Sequence, residues 1–129
     1  MSTYGVLRAP EENVDAGLTE QLDVFSLGNV LYEVLTGVSV WEGYDLAETL
    51  SNIVEGVTMP IDAIFYKTFT SEVMAQAISL CWTYDVEERP TIFEVVRFLE
   101  QAIESNVRNP EGGTLEERLA SGEHFDLYG

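Results

Sequence analysis

The sequence predicts a mostly α-helical fold, and three observations carry that expectation. Apolar residues recur at three- and four-residue spacing in four separate stretches, polar caps and glycines stand at the ends of those stretches, and no stretch alternates apolar and polar residues convincingly enough for a strand. The 129 residues are 46% hydrophobic and 11% aromatic, so the chain has the size of about one domain and enough apolar mass for a core.

Residues 1–18 carry Gly5, Pro10 and Gly17 without sustained periodicity and read as a loop with a short turn after Pro10. Thr19 is placed to cap the helix that follows, Glu20 and Asp23 suit the positive end of its dipole, and Gly37 stands where a C-terminal cap falls. Leu22, Phe25, Leu27, Val30, Leu31, Val34 and Leu35 wrap most of the circumference of this helix, interrupted mainly by Asn29 and Glu33. A helix apolar nearly all round belongs at the centre of a fold.

Residues 38–44, including Trp41, read as a loop, and Asp45 to Glu55 as an amphipathic helix ended by Gly56. Pro60 opens an irregular stretch to Phe69. Thr70 or Ser71 is the expected cap of a third helix running to about Trp82, with Val73, Met74, Ala77, Ile78 and Cys81 on one buried face. Thr91 and Glu94 have the spacing of a capping box, in which each side chain satisfies a backbone N–H of the new helix. Ile92, Val95, Val96, Leu99 and Ile103 carry that helix toward Ser105. After the breaker Asn109-Pro110-Glu111-Gly112-Gly113, the stretch Thr114 to Ala120 forms one short capped helix before a loose end, so residues 105–129 read as an acidic C-terminal tail.

The charge balance is lopsided, with 23 acidic against 6 basic side chains and a formal net charge of −17. That field repels nucleic acid and anionic membranes and attracts a basic protein partner, while also serving plain solubility. Cys81 is the only cysteine, which rules out an intrachain disulfide or a cysteine-built zinc site, and its neighbours Leu80 and Trp82 point to a buried thiol. No apolar run approaches the roughly 18 residues of a membrane span, and the N-terminus lacks the basic-then-apolar order of a signal peptide, so a cytoplasmic protein is expected.

Four short elements stand in a fixed order. They are Leu7-Arg8-Ala9-Pro10-Glu11; Asp23-Val24-Phe25-Ser26-Leu27-Gly28; Ile53 to Pro60 with Gly56 inside it; and Cys81-Trp82, Asp85, Arg89-Pro90. Any one is weak, but together they resemble the C-terminal lobe of a eukaryotic-type protein kinase domain from the A-P-E motif onward. The C-W…R-P segment is of the tyrosine-kinase or tyrosine-kinase-like kind. The resemblance covers about residues 5–104, so residues 1–104 are expected to be a partial kinase domain.

That resemblance implies roles for individual residues. Glu11 and Arg89 are the expected ion pair tying the end of the activation segment to the helical lobe, since a guanidinium grips a carboxylate with two hydrogen bonds. Ala9, Pro10, Asp23, Gly28, Cys81, Trp82 and Pro90 are the family-motif residues. In the family the aspartate matching Asp23 holds the catalytic loop, although an acid in a first turn is also explained by the helix dipole alone. Gly28 costs helix stability, so it signals close packing. Glu33 matches a position that some kinases use to read basic substrate residues, and is otherwise a solvated or locally paired acid.

Phosphoryl transfer in this family requires a glycine-rich loop, a strand lysine, H-R-D with its asparagine, and D-F-G on magnesium. None occurs in the 129 residues. Lys67 lies on the wrong side of Ala9-Pro10-Glu11, and His124-Phe125-Asp126 only echoes H-R-D, so no catalytic, cofactor-binding or metal residue is expected in this chain. The expected function is therefore that of a kinase-domain fragment. The full domain would use ATP and magnesium to phosphorylate protein Ser/Thr or Tyr. The alternative is a non-catalytic helical protein-interaction module derived from a kinase. Either way the partner is a protein, the missing half of the domain or a basic binding partner, and an apolar patch on the first helix is expected to stay uncovered.

Overall fold

The computed structural model describes residues 21–127. Among them are five α-helices and one 3₁₀ turn, and no strand: α1 (Gln21–Thr36), α2 (Leu46–Glu55), the turn Ala63–Tyr66, α3 (Phe69–Cys81), α4 (Ile92–Arg108) and α5 (Leu115–Ala120). The mostly helical expectation holds.

Local chemistry sets the helix ends. Asp45 accepts the Glu48 N–H at 2.8 Å to start α2, and Gly56, at φ 83°, closes it in the left-handed conformation open to glycine. The capping box of α4 is complete, with Glu94 N–H to Thr91 Oγ1 at 3.1 Å and Thr91 N–H to Glu94 Oε1 at 3.0 Å. A second box, Thr114 with Glu117, opens α5. Two boundaries differ from the sequence reading. Thr68, not Thr70 or Ser71, caps α3, because its extended backbone lets Oγ1 accept the Ser71 N–H and places Phe69 at the buried first position. Helix α4 continues past Ser105 to Arg108, where a cation suits the negative end of the dipole.

Among the described residues α3, rather than α1, is the central helix: it touches α1, α4, α5 and the 3₁₀ turn. Its Ala75, Ala77, Ile78 and Cys81 are wholly buried. Helix α1 packs one side on α3 through Phe25, Gly28 and Tyr32, while Val30 and Val34 stay 58% and 70% exposed on the other. The all-round apolar pattern of α1 thus exceeds what the described elements cover.

Two main clusters result. One joins Phe25, Tyr32, Val40, Trp41, Ile53, Met59, Ile78 and Trp82. The other joins Phe69, Val73, Ala77, Phe98, Ala102, Leu115 and Phe125, and Leu31 borders both. Trp41 sits in the first cluster with a left-handed backbone, φ 64°, and packs edge-on against Tyr44 with ring centroids 5.3 Å apart. A bulky residue there carries strain that its buried surroundings must offset.

The loose end anticipated after Ala120 is instead packed, and the segment from Asn109 to Leu127 forms a strap across α3 and α4. Phe125 lies against Phe69 and Phe98. Glu72 of α3 accepts the Leu115 N–H at 2.7 Å. The Arg118 guanidinium stacks 3.9 Å from the centre of the Phe69 ring and donates to Gly113 O, Ser105 O and Ser105 Oγ. Farther along, Glu123 accepts from Ser105 Oγ and Arg108, and Asp126 exchanges two hydrogen bonds with Gln101. The Gln101 amide, with His124 and Arg97 beside it, holds the Asp126 carboxyl below its usual range.

Candidate functional site

The family-motif residues that fall within the described chain, Asp23 apart, meet at one junction between α1, the C-terminal end of α3 and the loop that follows. Gly28 supplies the closest approach. A Cβ built there would stand 2.8 Å from Cys81 Cβ and 2.8 Å from two atoms of the Trp82 indole, so only glycine fits without moving a helix. Gly28→Ala is expected to destabilise the chain by about 1–3 kcal/mol through overpacking, despite alanine's better helix propensity, and a urea midpoint at or above that of the parent would refute the close-packing account.

The residue after this glycine completes the contact. Asn29 Oδ1 accepts the Trp82 Nε1–H at 2.9 Å in a buried setting, and Tyr32 packs its ring 5.4 Å from Trp82. The amide meets the one polar atom of the buried indole, so burial leaves that N–H satisfied. Beside the pair lies a cavity of about 20 Å³, lined by Phe25, Asn29, Ile53, Met59, Trp82 and Tyr84 among others. That is room for about one water and not for a ligand.

Cys81 is fully buried in this junction, and burial pushes its thiol up to about 12, with the nearby Arg89 charge opposing the shift. It is a neutral packing residue at physiological pH rather than a nucleophile. Asp85 organises the following turn: its carboxylate accepts the Glu87 N–H and its carbonyl the N–H groups of Glu88 and Arg89. That turn delivers Arg89 to a site where it is 3% exposed. Its Nε donates to Thr83 O at 2.9 Å, one terminal nitrogen reaches Tyr84 O at 3.3 Å, and the guanidinium lies 5.0 Å from the centre of the Phe25 ring. Pro90, the next residue in the chain, is buried as well.

The other singled-out residues lie elsewhere. Ala9, Pro10 and Glu11 are outside the described residues, so the Glu11–Arg89 pair is not on view. Asp23 is exposed in the first turn of α1. Glu33 is exposed and accepts the Val40 N–H at 3.4 Å, which makes it at least in part a local brace for the loop after α1. His124 pairs with Asp126 at 3.0 Å on the surface, far in role from any catalytic histidine. Among the described residues no group of three or more His, Cys, Asp or Glu side chains is placed to hold a metal ion, and no helix is long and apolar enough to cross a membrane.

Sequence reading alone did not identify Asn29 as part of this junction. Asn29 was legible only as an interruption in an apolar helix, and its partner lies 53 residues away.

Comparison with known proteins agrees with this geometry. Residues 6–99 match the family described as protein tyrosine and serine/threonine kinase. A probable serine/threonine-protein kinase of Dictyostelium discoideum is 29% identical over 102 residues, covering 79% of this chain and 8% of that protein. Vascular endothelial growth factor receptor 2 of Coturnix japonica is 33% identical over 102 residues, covering 78% and 7%. Human mitogen-activated protein kinase kinase kinase 11 is 33% identical over 100 residues, covering 77% and 11%. Among solved structures, the twitchin kinase region from C. elegans superposes with a TM-score of 0.62 at 26% identity, over 74% of this chain and 17% of that one. The chain therefore spans about a tenth of the length of these curated relatives. A family match over residues 6–99, which is most of the chain and includes the α1–α3 junction, places this protein in the protein tyrosine and serine/threonine kinase family.

Proposed function

We propose that this chain is the helical, substrate-side portion of a kinase domain and serves as scaffold and docking surface rather than as the seat of phosphoryl transfer. The observation that supports it best is the packed junction of Gly28, Asn29, Trp82 and Arg89, because it is a structural unit built without any of the phosphate- or magnesium-binding motifs. In the full domain, ATP would donate its γ-phosphoryl group to a protein Ser/Thr or Tyr hydroxyl, with ADP as the leaving group and magnesium offsetting the phosphate charge. Within that reading Glu11 pairs with Arg89, whose guanidinium is already buried and oriented by two backbone carbonyls. In the same reading Asp23 and Glu33, both exposed, are available to the catalytic loop and to basic substrate residues respectively. A cytoplasmic setting goes with this function.

The chain alone is expected to show no saturable binding of magnesium-ATP by calorimetry and no transfer of labelled phosphate to a generic protein acceptor. Saturable ATP binding accompanied by transfer would overturn the proposal. A second reading, a non-catalytic interaction module, is favoured by the strap: Leu115, Arg118 and Phe125 lie beyond the family-matched residues yet are among the most buried side chains. An antibody against residues 109–127 separates the two. A cellular band at the mass of the 129-residue chain identifies the module, and a much larger band identifies the domain.

A further inference from the structure

The outer face of α4 carries large apolar side chains at alternating three- and four-residue spacing. Phe93, Val96, Ile103 and Val107 are 81%, 42%, 64% and 78% exposed. Glu100, also exposed, fills the remaining position of that series, four residues after Val96 and three before Ile103. The stripe runs about 21 Å at the rise of an α-helix. It lies away from the buried face made by Val95, Phe98, Ala102 and Ser105. On one flank it opens into an apolar groove of about 370 Å³ between α3 and α4, to which Ile103 and Val107 also contribute, with Val73, Met74, Leu99 and Ala102.

Single exposed apolar side chains are ordinary, but four in register on one helix form a strip of the kind a second helix reads. Alternating three- and four-residue spacing is the seam of helix-on-helix packing, and the adjoining groove offers space for the partner's side chains. The central acid selects the occupant. A second copy of α4, packed parallel or antiparallel in register, would set Glu100 against Glu100, a like-charge contact inside the seam. A helix with Lys or Arg at the matching place would instead pair with Glu100 and, one turn on, with the exposed Glu104. The formal charge of −17 draws such a basic partner in.

We propose that the Phe93–Val107 face of α4 docks an amphipathic helix of a basic partner protein, with Lys or Arg facing Glu100. The test uses two designed helical peptides with leucine at three- and four-residue spacing, one with lysine and one with glutamate at the central position, titrated calorimetrically into the 129-residue chain. The lysine peptide is expected to bind at least about tenfold tighter than its twin, and Glu100→Lys to reverse that order. Ile103→Asp, at a position 64% exposed, is expected to abolish binding of both while leaving the thermal midpoint unchanged. Equal binding of the two peptides, or binding that survives Ile103→Asp, overturns the proposal. So does sedimentation showing a dimer that Ile103→Asp disperses, which would make a second copy the occupant. Loss of peptide binding in the longest polypeptide expressed from the gene would likewise overturn it, by assigning the face to a segment of the same chain.

Discussion

Ending the chain after Asn109 is expected to abolish cooperative thermal unfolding followed by circular dichroism. The cut removes Leu115, Arg118 and Phe125, whose exposures of 2%, 1% and 1% make them core residues rather than ornaments of a tail. It uncovers Phe69, Phe98 and Ala102 on both helices that the strap bridges. Deleting one buried leucine or phenylalanine side chain costs about 2–5 kcal/mol, and a whole domain is stable by only about 5–15 kcal/mol, so losing both together consumes most of the margin. The point variant Phe125→Ala is expected to lose about 3–5 kcal/mol. A truncated chain that melts sharply within a few degrees of the full one would show that the strap rests on a core already complete without it.

Arg89→Ala carries the second large effect, an expected loss of about 2–5 kcal/mol at about 1–3 kcal/mol per acceptor left unsatisfied, read as a lower urea midpoint with an unchanged slope. Its removal leaves the carbonyls of Thr83 and Tyr84 without these donors and empties the space over Phe25. Lysine is not expected to restore stability, because a point charge on a flexible stem can neither span two carbonyls nor stack on a ring as a planar guanidinium does. The same position tests the proposed partner: a double-mutant cycle of Glu11→Gln with Arg89→Ala should return a coupling above about 1 kcal/mol, and a coupling near zero would remove Glu11 from the site. Full rescue by Arg89→Lys would reduce the residue to its charge.

How far the sequence leads is set by the range of the forces involved. Caps are local, so the Thr91–Glu94 box, the Asp45 start and the Gly56 stop could all be read three or four residues at a time. The cap of α3 was misplaced because Thr68, Thr70 and Ser71 all carry the same hydroxyl, and only the burial of Phe69 decides among them. The burial of polar side chains by the strap was not legible. Arg118, Glu72 and Ser105 look like surface residues in the sequence, and become core residues only because the strap brings the Leu115 N–H to Glu72 and both the Gly113 and Ser105 carbonyls to Arg118. Helix α1 shows the converse: its apolar circumference was plain, yet the identity of what covers Val30 and Val34 cannot be written in their own periodicity.

The placement of the two indoles gives the molecule a built-in optical asymmetry. Trp41 and Trp82 both belong to the cluster around Phe25 and Ile78, and the cluster clamped by the strap contains phenylalanines alone as its aromatic members. Intrinsic emission excited at the red edge therefore senses one half of the protein and is blind to the other. An opening confined to the strap would leave the emission maximum where it was, while a loss of the α1–α3 junction would shift it to longer wavelength as both indoles met water. A single spectroscopic channel can thus say which half of the fold gives way first.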